Sequence, residues 1–395
     1  MSRFLLVVPP LTGHIGPLVG VAAELTRRGH ETLWCGCADR VRAVAGPAAA
    51  VHPAALPGTG APVRPPGLTG PAAFRFLWED FLVPLAEAMA PAVEDAVRAF
   101  RPDAVVTDQH AVAGALVCER LGVPYLTSAS TSAELVGPLD GLPKVAAWLT
   151  GRLTSLREAT GDPAAAYDPR FSPYGTLAFT GRELLGDAPL PSDRVHLVGP
   201  VVTDRPRDTG FPWDTLDPSR ELVLVSLGTA NTDAGARFLH EAAKALALLA
   251  DRVQGVVADP GGHLTAPPAG VLVRPYVPQI QLLGRARAVI GHGGHNTVCE
   301  SLWHGLPMVL APIRDDQPIV ARQVVEAGAG VRVRFGRVDA AGLAEALTTI
   351  LDDAGGHRTA AAAIGRSLRA AGGRHAAADL LEQLVPPRPA ASAGR

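Results

Sequence analysis

Cysteine is scarce in this sequence, and long apolar runs are absent. The four cysteines among 395 residues are Cys35, Cys37, Cys118 and Cys299, and none forms the C-x-x-C spacing of a zinc or dithiol site. We therefore expect four reduced thiols. No segment approaches the roughly 20 consecutive apolar residues of a membrane span. Only residues 4–8 form an apolar run before the first proline, which is too short for a secretion signal, so a cytoplasmic protein is expected.

A strong charge of one sign is also lacking. Lys and Arg total 36, Asp and Glu total 38, and the formal net charge is −2. No basic run could follow a phosphate backbone or an anionic membrane, so neither nucleic acid nor a membrane is an expected partner. The patterns G-x-x-x-x-G-K-[ST], H-E-x-x-H and G-x-S-x-G are absent as well, which argues against P-loop, zinc-peptidase and serine-hydrolase chemistry.

The sequence does contain alternating strand and helix patterns. The apolar run 4–8 is followed by a turn, by apolar positions at helical spacing from Pro17 to Leu25, and by a second apolar run at 32–35. The pattern recurs as a strand at 104–107, a helix at about 111–121 and a strand at 125–127. Residues 1–199 are therefore predicted to form a doubly wound, parallel-sheet domain.

A second alternation follows a stretch rich in proline and charge at 200–220, which is predicted to be a linker. Strands are expected at 222–227, near 255 and 271, at 288–291 and at 308–311, and helices at about 234–250, 296–303 and from 318. This predicts a second parallel-sheet domain at 221–364 and an α/β protein with two Rossmann-like domains. A helix at about 365–385, broken at Gly372 and Gly373, is expected to pack back on the first domain, and the tail 386–395 is expected to be disordered.

The most informative segment runs from Gly291 to Glu300, directly after a predicted strand and at the start of a helix. Its small residues let the backbone approach a ligand, and a helix N-terminus presents unpaired N–H groups to a phosphate. His292, Asn296 and Thr297 add side-chain donors. Taken alone, a glycine turn with an Asn N-cap explains the segment equally well. His292 and His295, three residues apart, would be the ligands of a metal site, but no metal is predicted.

Residues 276–317 as a whole resemble the nucleotide-sugar signature of family 1 glycosyltransferases. The matching elements are Tyr-x-Pro-Gln at 276–279, His-x-Gly-x-Asn-Thr-x-x-Glu at 292–300, Gly-x-Pro at 305–307 and Asp-Gln at 316–317. The resemblance implies a GT-B fold, whose two Rossmann-like domains face each other across a cleft. Two positions depart from the plant members of the family. Where those members carry Trp, this sequence has His295 and Tyr276, and the nucleotide base that the enzyme prefers therefore stays open.

The resemblance also assigns roles in donor binding. Tyr276, followed by Val277, would stack on the base, and Gln279 and Glu300 would contact the ribose region. His292, Gly294, Asn296 and Thr297 would hold the diphosphate, while Asp316 and Gln317 would hydrogen-bond the sugar hydroxyls. Ser226 and Thr229, after the first strand of the second domain, would lie near the phosphates, although a plain strand-ending turn explains them nearly as well.

The N-terminal half matches the family at Gly-His-x-x-Pro, here residues 13–17, in the loop after the first strand. The resemblance makes His14 the general base and Asp108, which ends a strand, the carboxylate that orients it. Without that context, a histidine in such a loop is an ordinary polar turn residue. Acceptor walls would come from the first domain, where the aromatic and apolar positions could also be plain core. These positions are Phe74, Phe76, Trp78, Phe81, Met89 and Trp148.

The expected activity is inverting transfer of a hexose from a UDP- or dTDP-sugar to a hydroxyl of a small, apolar natural-product acceptor. The D-x-D spacing of metal-dependent sugar transferases is absent, so neither a metal nor a cofactor is expected. A homodimer is possible. Two alternatives stay open: a transferase-like auxiliary protein without turnover, and a sugar-nucleotide epimerase of the same architecture.

Overall fold

The structure is a computed structural model that describes residues 1–58, 64, 65, 68, 70–203, 210–228, 231 and 234–385. Three sequence predictions fall wholly or partly outside these residues: part of the linker (204–209), Thr229 and the tail 386–395. Within the described part of the chain, no helix combines the length and apolar character needed to cross a membrane.

Two parallel sheets carry the fold. In the described residues the first has seven strands in the order β3-β2-β1-β4-β5-β6-β7, and the second has six in the order β10-β9-β8-β11-β12-β13. The strands of the first sheet are β1 (Arg3–Val7), β2 (Glu31–Gly36), β3 (Val51–Pro53), β4 (Ala104–Asp108), β5 (Tyr125–Ala129), β6 (Thr176–Ala178) and β7 (Val195–Leu197). Those of the second are β8 (Glu221–Ser226), β9 (Val253–Ala258), β10 (Val271–Arg274), β11 (Ala288–Gly291), β12 (Met308–Leu310) and β13 (Gly330–Arg332).

Helices cover both faces of each sheet, which is why the central strands are nearly continuous apolar runs. The helices of the first half are α1 (Thr12–Arg27), α2 (Ala38–Ala45), α3 (Gly70–Arg75), α4 (Val83–Phe100), α5 (Val112–Leu121), α6 (Pro143–Thr160) and α7 (Arg182–Leu185). Those of the second half are α8 (Ala236–Leu248), α9 (Gln279–Leu283), α10 (His295–Trp303), α11 (Gln317–Glu326), α12 (Ala340–Asp352), α13 (His357–Ala370) and α14 (Arg374–Leu384). Residues 76–82 form a π-helical segment, and short 3₁₀ turns occur at 133–136 and 213–215.

The start of α1 differs from the sequence prediction. The spacing placed the helix from Pro17 onward and His14 in a loop, whereas α1 begins at Thr12 and His14 lies in its first turn. A proline inside a helix removes the hydrogen bond to the carbonyl four residues earlier, here that of Gly13. The helix tolerates this loss because the Gly13 carbonyl accepts a hydrogen bond of 2.6 Å from the side chain of Asn296 instead.

The C-terminal helices pack on different sheets. Ile364 and Leu368 of α13 belong to the core beside the second sheet, while Ala377 and Leu381 of α14 belong to the core beside the first. Gly372 and Gly373, both with positive φ, make the break between the helices. Glu382 of α14 also pairs with arginine and histidine side chains at the end of α1, Arg28 and His30. The chain therefore ends its described part on the domain in which it began.

Candidate functional site

The strand order of each sheet reverses at one point, and the candidate residues follow those points. In the first sheet the reversal lies between β1 and β4, which lead to His14 and Asp108. In the second it lies between β8 and β11, which lead to Ser226 and His292. Open parallel sheets bind ligands in the crevice at such switch points, beyond the carboxyl ends of the strands. The topology therefore creates two candidate ligand-binding edges.

His14 and Asp108 are in direct contact. His14 Nδ1 lies 2.8 Å from Asp108 Oδ1, and the carboxylate is fully buried while the histidine side chain is 16% exposed. An ionised carboxylate only accepts hydrogen bonds, so Nδ1 carries the proton and Nε2 keeps its lone pair. The Ser130 hydroxyl oxygen lies 2.6 Å from the same Nδ1 and can also accept a hydrogen bond from its N–H. The pair thus has the tautomer that a general base requires.

One group of three residues in the described chain could in principle bind a metal, since single ligand atoms of His14, Asp108 and His110 lie within 4.8 Å of one another. The two imidazole rings, however, are stacked, with centroids 4.6 Å apart and planes inclined by 30°. A metal lies close to the plane of each imidazole that binds it, along a nitrogen lone pair. Stacked rings do not direct their lone pairs at one point, so this geometry does not favour His14 and His110 as joint ligands.

The predicted diphosphate residues surround the N-terminus of α10. Gly294 is the N-cap and His295, Asn296 and Thr297 form the first turn, whose backbone N–H groups have no carbonyl partner within the helix. Gly293 has φ +85°, which favours glycine, and a Cβ at Gly294 would lie only 2.4 Å from the His292 ring. The bare backbone therefore leaves both the N–H groups and the imidazole close to any bound anion.

His292 is buried and neutral at neutral pH. Burial lowers its pKa to about 4, although a hydrogen bond with the backbone of Ser226 opposes the shift. A neutral imidazole has a single N–H, which the Ser226 backbone takes here, so His292 can donate to a phosphate oxygen only by giving up that hydrogen bond, and it adds no positive charge. Ser226 Oγ itself accepts a long hydrogen bond of 3.3 Å from Gly228 N–H.

The residues assigned to the base and ribose lie beside this helix. Gln279 begins α9 and donates to Glu300 of α10 over 2.5 Å and to Thr297 over 3.5 Å, so the three side chains form one polar cluster. Tyr276 is 59% exposed, and a flat ring open to solvent is available for stacking on a base. Val277, next to it, packs against the core of the second domain.

Asp316 and Gln317 stand at the start of α11, and both are already engaged. Asp316 accepts a 2.6 Å hydrogen bond from Thr131 of the first domain, and burial raises its pKa, an effect that the Thr131 bond opposes. Gln317 Oε1 accepts from the backbone N–H groups of Ile313 and Arg314. Gln317 can therefore offer a sugar hydroxyl only its amide nitrogen, as a donor.

Polar contacts join the two candidate edges. Asn296 donates to the Gly13 carbonyl over 2.6 Å, next to His14. Thr131 bonds Asp316, and Ser132 donates to Gln323 of α11 over 2.6 Å. The predicted donor residues thus lie against the predicted base across the interface between the sheets.

The proposed acceptor walls divide into core and partly buried positions. Trp78, Phe81 and Met89 are buried members of the core beside the first sheet. Phe74 and Trp148 pack on that core at a ring-centroid distance of 6.3 Å from each other. Phe76 is partly buried, with the Arg64 guanidinium 5.6 Å from its ring. The plain-core alternative therefore describes Trp78, Phe81 and Met89.

Sequence reasoning missed several polar residues at the site. The run Ser130-Thr131-Ser132, directly after β5, contacts His14, Asp316 and Gln323 in turn. His110 stacks on His14, as described above. Three hydroxyls at the carboxyl end of a buried strand are a recognisable signal, because loops at that edge line the cleft. The stacking of His110 has no such signal in the spacing.

Comparison with known proteins agrees with this architecture. The family described as UDP-glucoronosyl and UDP-glucosyl transferase matches residues 209–359. A 4'-demethylrebeccamycin synthase from Lentzea aerocolonigenes is 31% identical over 89% of this chain and 92% of its own. A demethyllactenocin mycarosyltransferase from Streptomyces fradiae is 28% identical over 98% and 87%. The crystal structure of the glycotransferase of kitacinnamycin superimposes with a TM-score of 0.79 at 27% identity, covering 98% of this chain and 99% of that chain.

These similarities confirm the predicted α/β architecture of two Rossmann-like domains with the GT-B fold. They also confirm the predicted enzyme class and its use of a nucleotide-sugar donor. The chain therefore belongs to the UDP-glucoronosyl and UDP-glucosyl transferase family and is a glycosyltransferase.

Proposed function

We propose that the enzyme transfers a hexose, with inversion, from a UDP- or dTDP-sugar to a hydroxyl of a small, largely apolar natural product. The observation that carries this proposal is the His14–Asp108 pair, which lies next to the Gly13 carbonyl that Asn296 of α10 binds. Relatives named for demethylrebeccamycin and demethyllactenocin support an acceptor of this class.

In the proposed reaction, His14 Nε2 takes the proton of the acceptor hydroxyl as its oxygen attacks the anomeric carbon. The bond from that carbon to the diphosphate breaks in the same displacement, so one inversion results. Asp108 stabilises the imidazolium that forms, because its carboxylate is buried and hydrogen-bonded to Nδ1. The negative charge that develops on the diphosphate faces the first turn of α10, where N–H groups and the helix dipole stabilise it. This arrangement supports a reaction without a metal ion.

The sugar would bind between Asp316 and the Gln317 amide nitrogen. Asp316 can accept from a sugar hydroxyl, and it already takes one hydrogen bond from Thr131. Such a pair favours a hexose with free hydroxyls. Replacing either residue with alanine should weaken use of the whole sugar nucleotide while leaving binding of the bare nucleoside diphosphate nearly unchanged. Equal losses for the two ligands would mean that these residues do not bind the sugar.

The decisive experiment incubates the purified protein and a chelator with UDP-glucose or dTDP-glucose and a panel of phenolic, polyketide and macrolide acceptors. Mass spectrometry should find acceptors heavier by one hexose, and NMR of the product should show an inverted anomeric centre. Reactions with donor alone would reveal isomerised donor if the enzyme is an epimerase. A retained configuration, or transfer that stops with chelator and returns with a divalent ion, would contradict the proposed mechanism.

A matched pair of variants tests the base. His14→Ala should lower turnover by about 10²- to 10⁴-fold with nearly unchanged donor binding. His240→Ala is the control, since His240 is an exposed histidine on α8. Full activity of His14→Ala on a hydroxyl acceptor would refute the assignment of the base.

A further inference from the structure

His110 lies against the proposed base without reaching the cleft itself. It follows β4 and its ring stacks on that of His14 at a centroid distance of 4.6 Å. Its side chain is only 10% exposed. The ring therefore covers one face of the His14 imidazole and restricts the rotation of that ring.

The backbone of His110 also holds the partner of the base. His110 N–H donates to Asp108 Oδ1 over 2.9 Å, and this is the same oxygen that contacts His14 Nδ1. One residue thus fixes both members of the pair, Asp108 through its amide and His14 through its ring.

A buried charged chain behind His110 orients its ring. His110 Nε2 lies 3.1 Å from Glu134 Oε1, and the other carboxylate oxygen of Glu134 pairs with Arg170 at 2.9 Å. Arg170 is held in turn by Asp168 at 2.7 Å. The Trp78 ring meets the His110 ring edge-to-face at 6.2 Å. None of these contacts includes a predicted donor residue, so the chain serves the orientation and charge of His110.

The charges around His110 favour its protonated form. Burial opposes that form, but the hydrogen bond and charge of Glu134, together with the carboxylates of Asp108 and Asp316, outweigh burial and raise the pKa of His110. Glu134 stays ionised despite its burial, because Arg170 and His110 lower its pKa to about 2. The titratable groups that face His110 are therefore Glu134, Asp108, Asp316 and His14, with Arg170 behind Glu134.

We propose that His110 is a positioning residue for glycosyl transfer, which holds the His14 ring by stacking and places a charge paired with Glu134 beside that ring. The proposal rests on the proposed function of His14 as the base. His110 cannot be the base itself, because Nε2 is bonded to Glu134 and Nδ1 is buried. The charge of this ring lies against the ring that takes the acceptor proton, so the two rings repel each other once both are protonated.

Two substitutions separate stacking from charge. His110→Ala removes both and should lower kcat by about 10-fold or more. His110→Phe keeps an aromatic face and should retain kcat within about threefold at the pH optimum. Because phenylalanine carries no charge at this position, the acid limb of the kcat/KM profile, where kcat/KM falls with decreasing pH, should move to a higher pH by about 0.5 to 1 pH unit. Binding of UDP or dTDP should stay within about twofold in both variants, since the donor residue that faces His110 is Asp316, which is assigned to the sugar and not to the nucleotide.

Glu134→Gln is a second test that leaves both histidines in place. Without its carboxylate partner, His110 loses its proton along with the neighbouring negative charge. The acid limb should therefore move in the same direction as in His110→Phe, but by less. This variant keeps the proposal falsifiable if His110→Ala fails to fold.

A matched control is His30→Phe. His30 is another poorly exposed histidine, paired with Glu382 at 2.7 Å and in edge-to-face contact with Phe4, but it lies beyond the C-terminal end of α1, whereas His14 lies in the first turn of that helix. It should leave kcat and the pH profile unchanged. The same shift in His30→Phe as in His110→Phe would overturn the proposal.

NMR of the His14 ring, assigned by difference from His14→Ala, measures the positioning without turnover. The ring signals should be single and sharp in the wild-type enzyme and broadened or doubled in His110→Ala, because the stacked ring that restricts rotation is gone. If no acceptor is glycosylated but this broadening appears, the proposed function fails and the positioning stands. If transfer occurs but neither kcat nor the His14 signals respond to His110 substitutions, the positioning proposal is wrong and the function stands.

Discussion

The substitution Asp108→Asn tests how much of the proposed catalysis depends on one buried charge. The amide has the shape of the carboxylate, and the His110 N–H that donates to Oδ1 would hold the amide oxygen in the same place, facing His14. The tautomer of His14 is then preserved, because its Nδ1–H still finds an acceptor. The difference between the two enzymes is the charge that stabilises the imidazolium.

The size of the effect follows from the contact. A hydrogen bond to a charged group contributes about 1.5 to 3 kcal/mol. Two unit charges about 4 Å apart interact by about 4 kcal/mol at an effective dielectric constant of about 20, which is an upper bound here because His14 is partly exposed. A loss of about 1.5 to 4 kcal/mol in the transition state corresponds to a fall of about 10- to 1,000-fold in kcat. Donor affinity should be unchanged, since Asp108 contacts no predicted donor residue.

The assay measures kcat at saturating donor and acceptor, and titration calorimetry measures binding of the nucleoside diphosphate. Asp103→Asn is the matched control, because Asp103 precedes the opposite end of β4, where it accepts from the Arg3 N–H over 2.7 Å. A change in kcat below about threefold would refute the role of the Asp108 charge. A parallel loss of nucleotide affinity would point to a collapsed site instead.

Three further predictions concern the interface and the buried histidines. Pro17→Ala restores an N–H that competes with Asn296 for the Gly13 carbonyl, so kcat/KM for the donor should fall by about 2- to 10-fold with no loss of melting temperature. Thr131→Val removes the donor to Asp316 and should lower kcat/KM for the sugar nucleotide by about 10-fold without changing nucleoside-diphosphate binding, whereas Thr131→Ser should keep most activity. Burial lowers the pKa of His292 and His295 to about 4, from an ordinary 6.5, so stability is full above pH 6.5 and falls by about 3 kcal/mol for each residue as the pH drops to 4. Urea unfolding measures this loss of stability between pH 6.5 and pH 4. The loss should be roughly halved in His295→Gln and unchanged in His240→Gln.

Much of the fold could be predicted because each central strand is a short, almost wholly apolar run. A strand buried on both faces tolerates few polar residues, so runs such as 104–107 and 222–227 mark the sheets directly. The start of α1 could not be predicted in the same way, because proline normally marks a first helical turn. Its position depends on Asn296, a residue 283 positions from Gly13 that supplies the missing hydrogen bond.

The candidate site was predictable to a different degree in its two halves. The donor half lies in one segment, 276–317, so its spacing alone brings the residues to one sheet edge. The base half depends on contacts between distant strands: His14 meets Asp108 because β1 pairs with β4, and Ser130 follows β5, the next strand of the same sheet. Single-sequence spacing holds no record of which strands are neighbours.

The interface between the sheets links these halves through groups that have separate local roles. Pro17 leaves the Gly13 carbonyl without its helical partner, and Asn296 binds that carbonyl from α10, the helix proposed to bind the diphosphate. Thr131 makes the equivalent link to Asp316 from the loop that also carries Ser130 to the base. A donor that draws Asn296 or Asp316 toward its phosphates or sugar must therefore pull on the backbone beside His14 or beside Ser130. If the proposed donor and base roles hold, donor binding and the orientation of the base are coupled through these two hydrogen bonds, and the Pro17 and Thr131 substitutions each weaken one of them.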